Sequence, residues 1–435
     1  MSKNRNDKRK SVILLSDSIA TTTGNSKVAL TLLKGLQKQG YNVSSMSVGG
    51  DEPETEFDGI RLLPISQYGF DDNSVNIFMT KLTRYLLREK PDYFIVLGDR
   101  VHFQQLGIGN IEKEFIKQID TKMIFWETVD SDVRLCMESM LNNPHNPKRD
   151  IYNTFDYIVT TSQYGKDVLE NELIKVDKVI WEFVDTELFL PITDKKKLEI
   201  RKDYRFKHDD FIFMVVGRCI RRKNHELVIE ALYPFLIDNP KVRLFCMIPD
   251  YNGKDDLNLI DFCKRVLPIR YGGRDMADEQ KILFCTSNGK PLNIVAGIDQ
   301  EEVIKFYQAS DAVISGSMNE GFNLVVCETI STGLPYIGIN NTTIPELTNN
   351  GEVGFIAPAS QEQHVGLGIK LQSTSIENMR EQIKKVLALS VDERKKISER
   401  YHKYADDHFS RSKMITEWVK YLQSIDTKKS KVVLK

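Results

Sequence analysis

The chain has 435 residues and a mass of 50.0 kDa. At roughly 100–200 residues per domain, that length implies two or three domains. Hydrophobic residues make up 41% and charged residues 28%, so packed interiors are expected and disorder is not. Sixty Lys and Arg stand against 61 Asp and Glu, a formal net charge of -1. This balance excludes a protein that holds nucleic acid mainly through bulk charge, though not one with a local basic patch.

No apolar stretch approaches the ~20 residues a membrane helix needs. The first ten residues are polar and basic, and the apolar run that follows is too short for the core of a signal peptide. The six cysteines (Cys136, Cys219, Cys246, Cys263, Cys285, Cys327) show no paired spacing. Several lie in apolar runs such as Phe245-Cys246-Met247, which reads as reduced core cysteine in a cytoplasmic protein. No two histidines stand three or four apart on a helix face, so a protein-bound catalytic metal is not expected.

Apolar runs rich in Val, Ile and Phe alternate with helical patterns. A strand is expected at 11–16 and a helix at 25–39, with Val28, Leu30, Leu32, Leu33 and Leu36 on its apolar face. Strands follow at 41–48, 93–97, 123–126 and 157–160, with a helix at 75–89. The pattern breaks near Phe189-Leu190-Pro191 and a Lys-rich stretch at 193–207. It restarts with strand 211–216, helix 224–237, strand 242–247, helix 255–266, strand 282–285, helix 300–308, strand 312–315, helix 322–331 and strand 335–339. Long helices are expected at 376–389 and 392–405, then a last segment at 410–424. This βαβα rhythm implies parallel sheets covered on both faces. The expected fold is α/β, with two Rossmann-like doubly wound domains facing across a cleft. The expected domains are 1–190, 191–409 and a segment, 410–435, that crosses back to the first. Ligands in such folds sit at the carboxyl ends of strands.

Four constellations stand at such positions. In Val216-Gly217-Arg218 a strand ends at a glycine and a fixed cation follows, with Lys223-Asn224 opening the next helix. Glycine allows close approach to the backbone, and cations with helix-terminal amides suit an anion. Arg221 and Arg222 share the loop, so which side chain turns inward is open. Read alone, the loop is equally a basic surface loop. The second constellation is Asn319-Glu320-Gly321-Phe322-Asn323-Leu324, with Glu328 eight residues after Glu320 on a largely apolar helix. A carboxylate there needs hydrogen bonds if buried; alone, it reads as the exposed edge of the helix. The third is Gly333-Leu334-Pro335 followed by Thr343 to Leu347 and Gly351 to Phe355, with Gly333 suited to a helix C-cap. The fourth is Thr21-Thr22-Thr23-Gly24-Asn25-Ser26, a small loop at a helix start. It is neither GxGxxG nor a Walker loop, so neither a dinucleotide site nor a P-loop is supported.

Taken in order, these pieces resemble the large family of retaining, GT-B-fold glycosyltransferases often called family 4 (glycosyl transferases group 1). The matching pieces are Val216-Gly217-Arg218 with Lys223-Asn224, Gly297 with Glu301, Tyr307 and Asp311, and the E-x7-E pair Glu320 and Glu328. Gly333 with Pro335, Pro345-Glu346 and Gly351 to Phe355 follow, and Asp156 to Ser162 and Val184 to Pro191 look like the end of the family's first domain. The resemblance implies a metal-independent hexosyltransferase that retains anomeric configuration, with a UDP- or GDP-sugar as co-substrate and no separate cofactor. It implies that Arg218 and Lys223 bind the diphosphate and that Glu320 lies by the donor sugar ring. Glu328 would accept hydrogen bonds from ribose hydroxyls, and Gly217, Gly321, Phe322, Asn323 and Leu324 would touch sugar and phosphate. Gly24 would approach the phosphates from the first domain.

The chain also departs from the family. A histidine is common after the strand matching 123–126, whereas Glu127-Thr128-Val129-Asp130 stands here. Whether Glu127, Asp130 or His102 takes that place is open. Asn323 stands where glycine is commoner. The alternatives are a nucleotide-sugar 2-epimerase and a non-catalytic sugar-nucleotide binder. The acceptor (glycan, lipid, protein or modified nucleic-acid base) is open, as is the donor base. Basic clusters at 3–10, 195–207, 264–274 and 428–435 offer contact with a membrane surface or nucleic acid, or are simply solvated.

Overall fold

The structure, a computed structural model, describes residues 9–21, 23–48, 54–66, 71–131, 150–204, 206–248, 258–271, 281–284, 286–287, 290–291, 300–365 and 369–427. Thr22, Cys136, Cys285, Gly297 and the basic residues at 3–8, 272–274 and 428–435 lie outside them. The chain divides into two compact units, one of Met1–Glu182 with Arg411–Lys435, the other of Phe183–Ser410.

In the first unit the strands are β1 Ser11–Asp17, β2 Asn42–Val48, β3 Thr55–Phe57, β4 Ile60–Ser66, β5 Tyr93–Gly98, β6 Lys122–Glu127, β7 Tyr157–Thr160 and β8 Lys178–Val179. They form one sheet in the order β3-β4-β2-β1-β5-β6-β7-β8. All neighbours are parallel except β3 and β4, an edge hairpin. The apolar runs are continuous because parallel strands are buried on both faces. Val12, Ile13, Leu14 and Leu15, and Phe94 to Leu97, are all buried. Helix Gly24–Lys38 is capped by Thr23, whose side chain accepts from the Ser26 amide at 3.2 Å. Helix Arg411–Thr427 belongs to this unit. Its Trp418 packs edge-on to Trp126 with ring centroids 4.9 Å apart.

In the second unit β9 Phe211–Val216, β10 Val242–Met247, β11 Ile282–Phe284, β14 Ala312–Ile314, β15 Tyr336–Asn340 and β16 Phe355–Pro358 form a wholly parallel sheet, ordered β11-β10-β9-β14-β15-β16. Two antiparallel ribbons add β12 Thr286–Ser287 with β13 Lys290–Pro291, and β17 Gln361–Val365 with β18 Ile369–Ser373. The long helices Ile376–Leu387 and Val391–Phe409 follow, the second opened by a capping box between Ser390 and Glu393.

Several expectations change. The Lys-rich stretch at 193–207 is a helix, Asp194–Asp203, capped by Thr193. Its Lys197 reaches Asp311 at 2.7 Å and Arg201 pairs with the same carboxylate, so these two cations face the unit's interior rather than solvent. The helix expected at 255–266 is described as Leu259–Asp261, a π turn Phe262–Val266 and Leu267–Tyr271. The helix expected at 322–331 runs from Leu324 to Ser331, because the Asn323 side chain caps it by accepting from the Val325 amide at 3.1 Å. It ends at Gly333, where φ is +75° and the Gly333 amide bonds the Ile330 carbonyl at 3.0 Å. The ribbon β17–β18 was not anticipated, since β17 is polar over Gln361–His364 and β18 is only five residues long.

Candidate functional site

In both sheets the chain order reverses between two neighbouring strands, β1 and β5 in one, β9 and β14 in the other. Helices leave opposite faces at such a point, which opens a crevice at the carboxyl ends of the strands. The sequence-selected residues sit at these two edges.

In the second unit β9 is followed at once by Gly217, whose φ of +137° lies in the region that favours glycine. The loop then runs through Arg218 into a short 3-10 turn, Arg221–Lys223. After β14, Gly316 lies so close to this loop that a Cβ there would meet the Asn224 carbonyl oxygen at 2.5 Å. That approach brings Glu320 to the basic loop. Its carboxylate pairs with Lys223 Nζ and, at 3.1 Å, with Arg222 Nη1, and accepts from the Ser317 hydroxyl. Arg222 also donates to the Asn319 carbonyl at 2.9 Å. Arg218, in contrast, is exposed, and its carbonyl meets His225 Nε2 at 2.9 Å. Of the loop's basic residues, Arg222 and Lys223 are therefore the two that the structure brings to Glu320.

The electrostatics follow from this placement. Burial alone would push the Glu320 carboxyl up, but Lys223 and Arg222 outweigh it and hold the group below its ordinary value. His225, at the start of helix His225–Asp238, is pushed down to about 4 by burial, so its ring is neutral at pH 7.

Glu328 lies on helix Leu324–Ser331. It is half-buried rather than an exposed edge, and it accepts from the Tyr307 hydroxyl at 2.7 Å. Burial, with the Glu328 charge beside it, raises the Tyr307 phenol far above its ordinary value, so the phenol stays a donor. Gly321, Phe322 and Asn323 are buried, and Leu324 starts the helix. The helix thus begins four residues after Glu320, with its Val325, Val326 and Cys327 amides bonded to Asn323.

In the first unit Gly24 begins helix Gly24–Lys38, next to Thr23, whose hydroxyl donates to Asp17 at 2.7 Å. Asp99 follows β5 and caps helix Arg100–Gln105 by accepting from the His102 amide at 3.0 Å. Burial lowers His102, opposed by the charges of Asp17 and Asp99. The structure thus gathers Asp17, Thr23, Asp99 and His102 at the reversal point of this sheet. Glu127, at the end of β6, is fully buried. It accepts from the Tyr152 hydroxyl at 2.7 Å and lies 3.6 Å from Arg100, which in turn pairs with Glu172 at 2.7 Å. Burial pushes the Glu127 carboxyl up to about 8 against the pull of Arg100. Asp130 is half-buried and accepts from the Ser131 hydroxyl at 3.3 Å.

Sequence reasoning left one contributor undecided and missed two. Arg222 shared a loop with three other basic residues, and nothing in spacing separates them. The bond from Tyr307 to Glu328 joins two helices and has no local signal. Thr342, which accepts from the Glu320 amide at 3.1 Å, lies in a turn that read as connection only.

Residues 286–404 match the family described as glycosyl transferases group 1. An uncharacterized glycosyltransferase of Haemophilus influenzae is 22% identical over 81% of this chain and 88% of its own length. The sucrose-phosphate synthase of Thermosynechococcus elongatus superposes with a TM-score of 0.72 at 15% identity, over 96% of this chain and 99% of its own. Anabaena HepE, solved with UDP and glucose, gives a TM-score of 0.68 at 13% identity, over 96% of this chain and 100% of its own. At these identities the structural likeness establishes the fold, two parallel α/β units of the GT-B kind.

Proposed function

We propose that this chain, a GT-B glycosyltransferase whose residues 286–404 carry the group 1 match, is a retaining hexosyltransferase that uses a nucleoside-diphosphate sugar. The observation that carries the reading is the convergence of Lys223, Arg222 and Glu320 at the point where the order of the second sheet reverses. The two fixed cations, Lys223 and Arg222, form a preorganised centre of positive charge. Such groups stabilise a leaving diphosphate as charge develops on it. The Glu328 carboxylate, held by Tyr307, is suited to accept from vicinal hydroxyls such as those of a ribose. Paired with Lys223 across two loops, Glu320 is suited to the hydroxyls of a donor hexose. The relative solved with UDP and glucose favours a uridine donor here.

The chemistry asked of these groups is modest. The anomeric C–O bond to the phosphate breaks while the acceptor oxygen bonds to the same face of the anomeric carbon. The acceptor's proton passes to the departing phosphate oxygen. No side chain is required as nucleophile, which suits a Glu320 already neutralised by two cations. The acceptor binds to the first unit, where Gly24, Asp17, Asp99 and His102 offer donors and acceptors for hydroxyl groups. Glu127, sealed against Arg100 and Tyr152, keeps that strand end in place rather than meeting substrate.

The test is a panel of nucleoside diphosphates scored by thermal stabilisation. UDP is expected to raise the midpoint most. Release of UDP from UDP-hexoses is then followed with and without candidate acceptors. Release that requires an acceptor supports transfer; release without one, or stabilisation by no nucleoside diphosphate, refutes it.

A further inference from the structure

The carboxylate of Glu320 is gripped by two cations, but its main chain is held by a different segment. Asn341, Thr342 and Thr343 follow β15. The Thr342 hydroxyl accepts from the Glu320 amide at 3.1 Å, and the Thr343 hydroxyl donates to the Glu320 carbonyl at 3.4 Å. Asn341 Nδ2 donates to the Ser317 carbonyl at 3.0 Å and to the Gln372 carbonyl of β18 at 2.8 Å. The Gln372 amide completes the frame by donating to the Met318 carbonyl at 3.0 Å. Loop 317–320 is therefore bonded along its main chain by three consecutive side chains and the ribbon β17–β18.

Thr342 sits in this frame at φ +41°. A β-branched side chain is disfavoured in the left-handed region because its Cβ substituents crowd the backbone. Such a conformation persists only where the surroundings over-determine it. Glycine would take it freely. What threonine supplies in exchange is a hydroxyl on the Glu320 amide, backed by its own donation to Asn341 Oδ1 at 3.5 Å.

We propose that Thr342 is a positioning residue: its hydroxyl, set by a strained backbone, fixes the Glu320 main chain so that the carboxylate lies between Lys223 and Arg222. The transfer readout rests on the donor-site reading above; the stability readout does not.

The experiment uses the full chain with Thr342→Gly, Thr342→Val and Thr342→Ser, and measures thermal midpoint, kcat and donor KM. Thr342→Gly relieves the backbone and removes the hydroxyl. It is expected to keep or raise the midpoint while kcat falls about tenfold and donor KM changes less than twofold. Thr342→Ser is expected to restore kcat, and Thr342→Val to lower both midpoint and kcat. A double-mutant cycle between Thr342→Gly and Lys223→Ala is read by midpoint alone. If Thr342 places the carboxylate, Lys223→Ala costs a smaller shift in the Thr342→Gly background. Strict additivity in that cycle, or a Thr342→Gly enzyme with wild-type kcat, overturns the proposal. Should wild type bind no nucleoside diphosphate, the donor reading falls, and the cycle still decides Thr342.

Discussion

Lys223 and Glu320 form an ion pair across 97 residues of sequence, with side chains 16% and 7% exposed. The pair is asymmetric in what its loss should do. Lys223→Ala leaves a buried carboxylate held by Arg222 and Ser317 alone, and breaking a buried pair in this way costs about 3–5 kcal/mol. Arg222 places the expected loss near the lower end of that range. Glu320→Gln leaves a lysine that can turn toward water, so it should cost less. The double variant Lys223→Ala with Glu320→Gln should recover part of the stability lost by Lys223→Ala. Turnover should not recover in the double variant, since the loss of one preorganised charge donor typically lowers kcat ~100-fold or more. Urea unfolding and nucleoside-diphosphate release together check the ordering. A Lys223→Ala enzyme with unchanged turnover would remove Lys223 from the proposed clamp.

Tyr307→Phe deletes one donor to Glu328 and nothing of the ring. Deletion of a single hydrogen bond to a charged acceptor is worth about 1.5–3 kcal/mol. The expected outcome divides between the fold and the ligand: a small fall in midpoint and nucleoside-diphosphate binding weakened roughly tenfold, since a less firmly held carboxylate accepts hydroxyls less well. Calorimetry on Tyr307→Phe and Glu328→Gln tests this. Glu328→Gln should be the weaker binder, and equal affinity for wild type and both variants would place Glu328 outside the nucleoside site.

The two units should respond to pH in opposite senses. Glu320 is held below its ordinary carboxyl value and His225 is pushed from 6.5 to about 4. Both groups bind protons more readily when unfolded, so the second unit loses stability as pH falls. For His225 the loss begins below the unfolded value of 6.5 and is complete below about 4, a total of roughly 3 kcal/mol. Glu127 lies the other way. Pushed up to about 8 by burial, it holds its proton better when folded, so its contribution is full below 4.5 and declines as pH rises through 8. Arg100, Tyr152, Glu172 and Asp99 face it, and Arg100 opposes the shift. Midpoints measured from pH 4 to 9 should show an alkaline decline that Glu127→Gln flattens and an acid decline that it leaves in place. An unaltered alkaline limb in Glu127→Gln would assign that limb to another group.

What was legible in the chain follows from what is local. Runs such as Val12 to Leu15 and Ile212 to Val215 are buried on both faces, so their hydrophobicity is continuous and marks a parallel strand. The positions of Gly217, Glu320 and Glu328 relative to those strands were equally legible, because strand ends are where such sheets bind ligands. The orientation of long side chains was not. Arg218 and Arg222 are four residues apart in one loop, and only the approach of Gly316 to Asn224 decides which one meets Glu320. Lys197 and Arg201 looked like solvated charge because their partner, Asp311, lies over a hundred residues away. A polar, exposed strand such as β17 carries no alternation to read, since its pairing with β18 answers main-chain hydrogen bonding rather than burial.

Helix Arg411–Thr427 supplies a prediction that involves no chemistry. It closes on the first unit where helix Gly24–Lys38 has a glycine, Gly35, at the contact. A Cβ at Gly35 would lie 2.4 Å from Ile415 Cδ1 and 3.0 Å from its Cγ2. Gly35→Ala therefore sets two effects against each other. Replacing a mid-helix glycine by alanine gains up to about 1 kcal/mol of helix propensity, while forcing extra atoms into a packed contact costs about 1–3 kcal/mol. Because both the end and the branch of Ile415 are in the way, the clash should win, and Gly35→Ala should lower the midpoint. Ile415→Ala removes the obstruction, so in that background Gly35→Ala should become neutral or stabilising. A Gly35→Ala chain more stable than wild type, with Ile415 intact, would show that the last helix does not sit against Gly35 as described. The non-additivity of the two changes, measured by urea unfolding, is the quantity that reports on the contact.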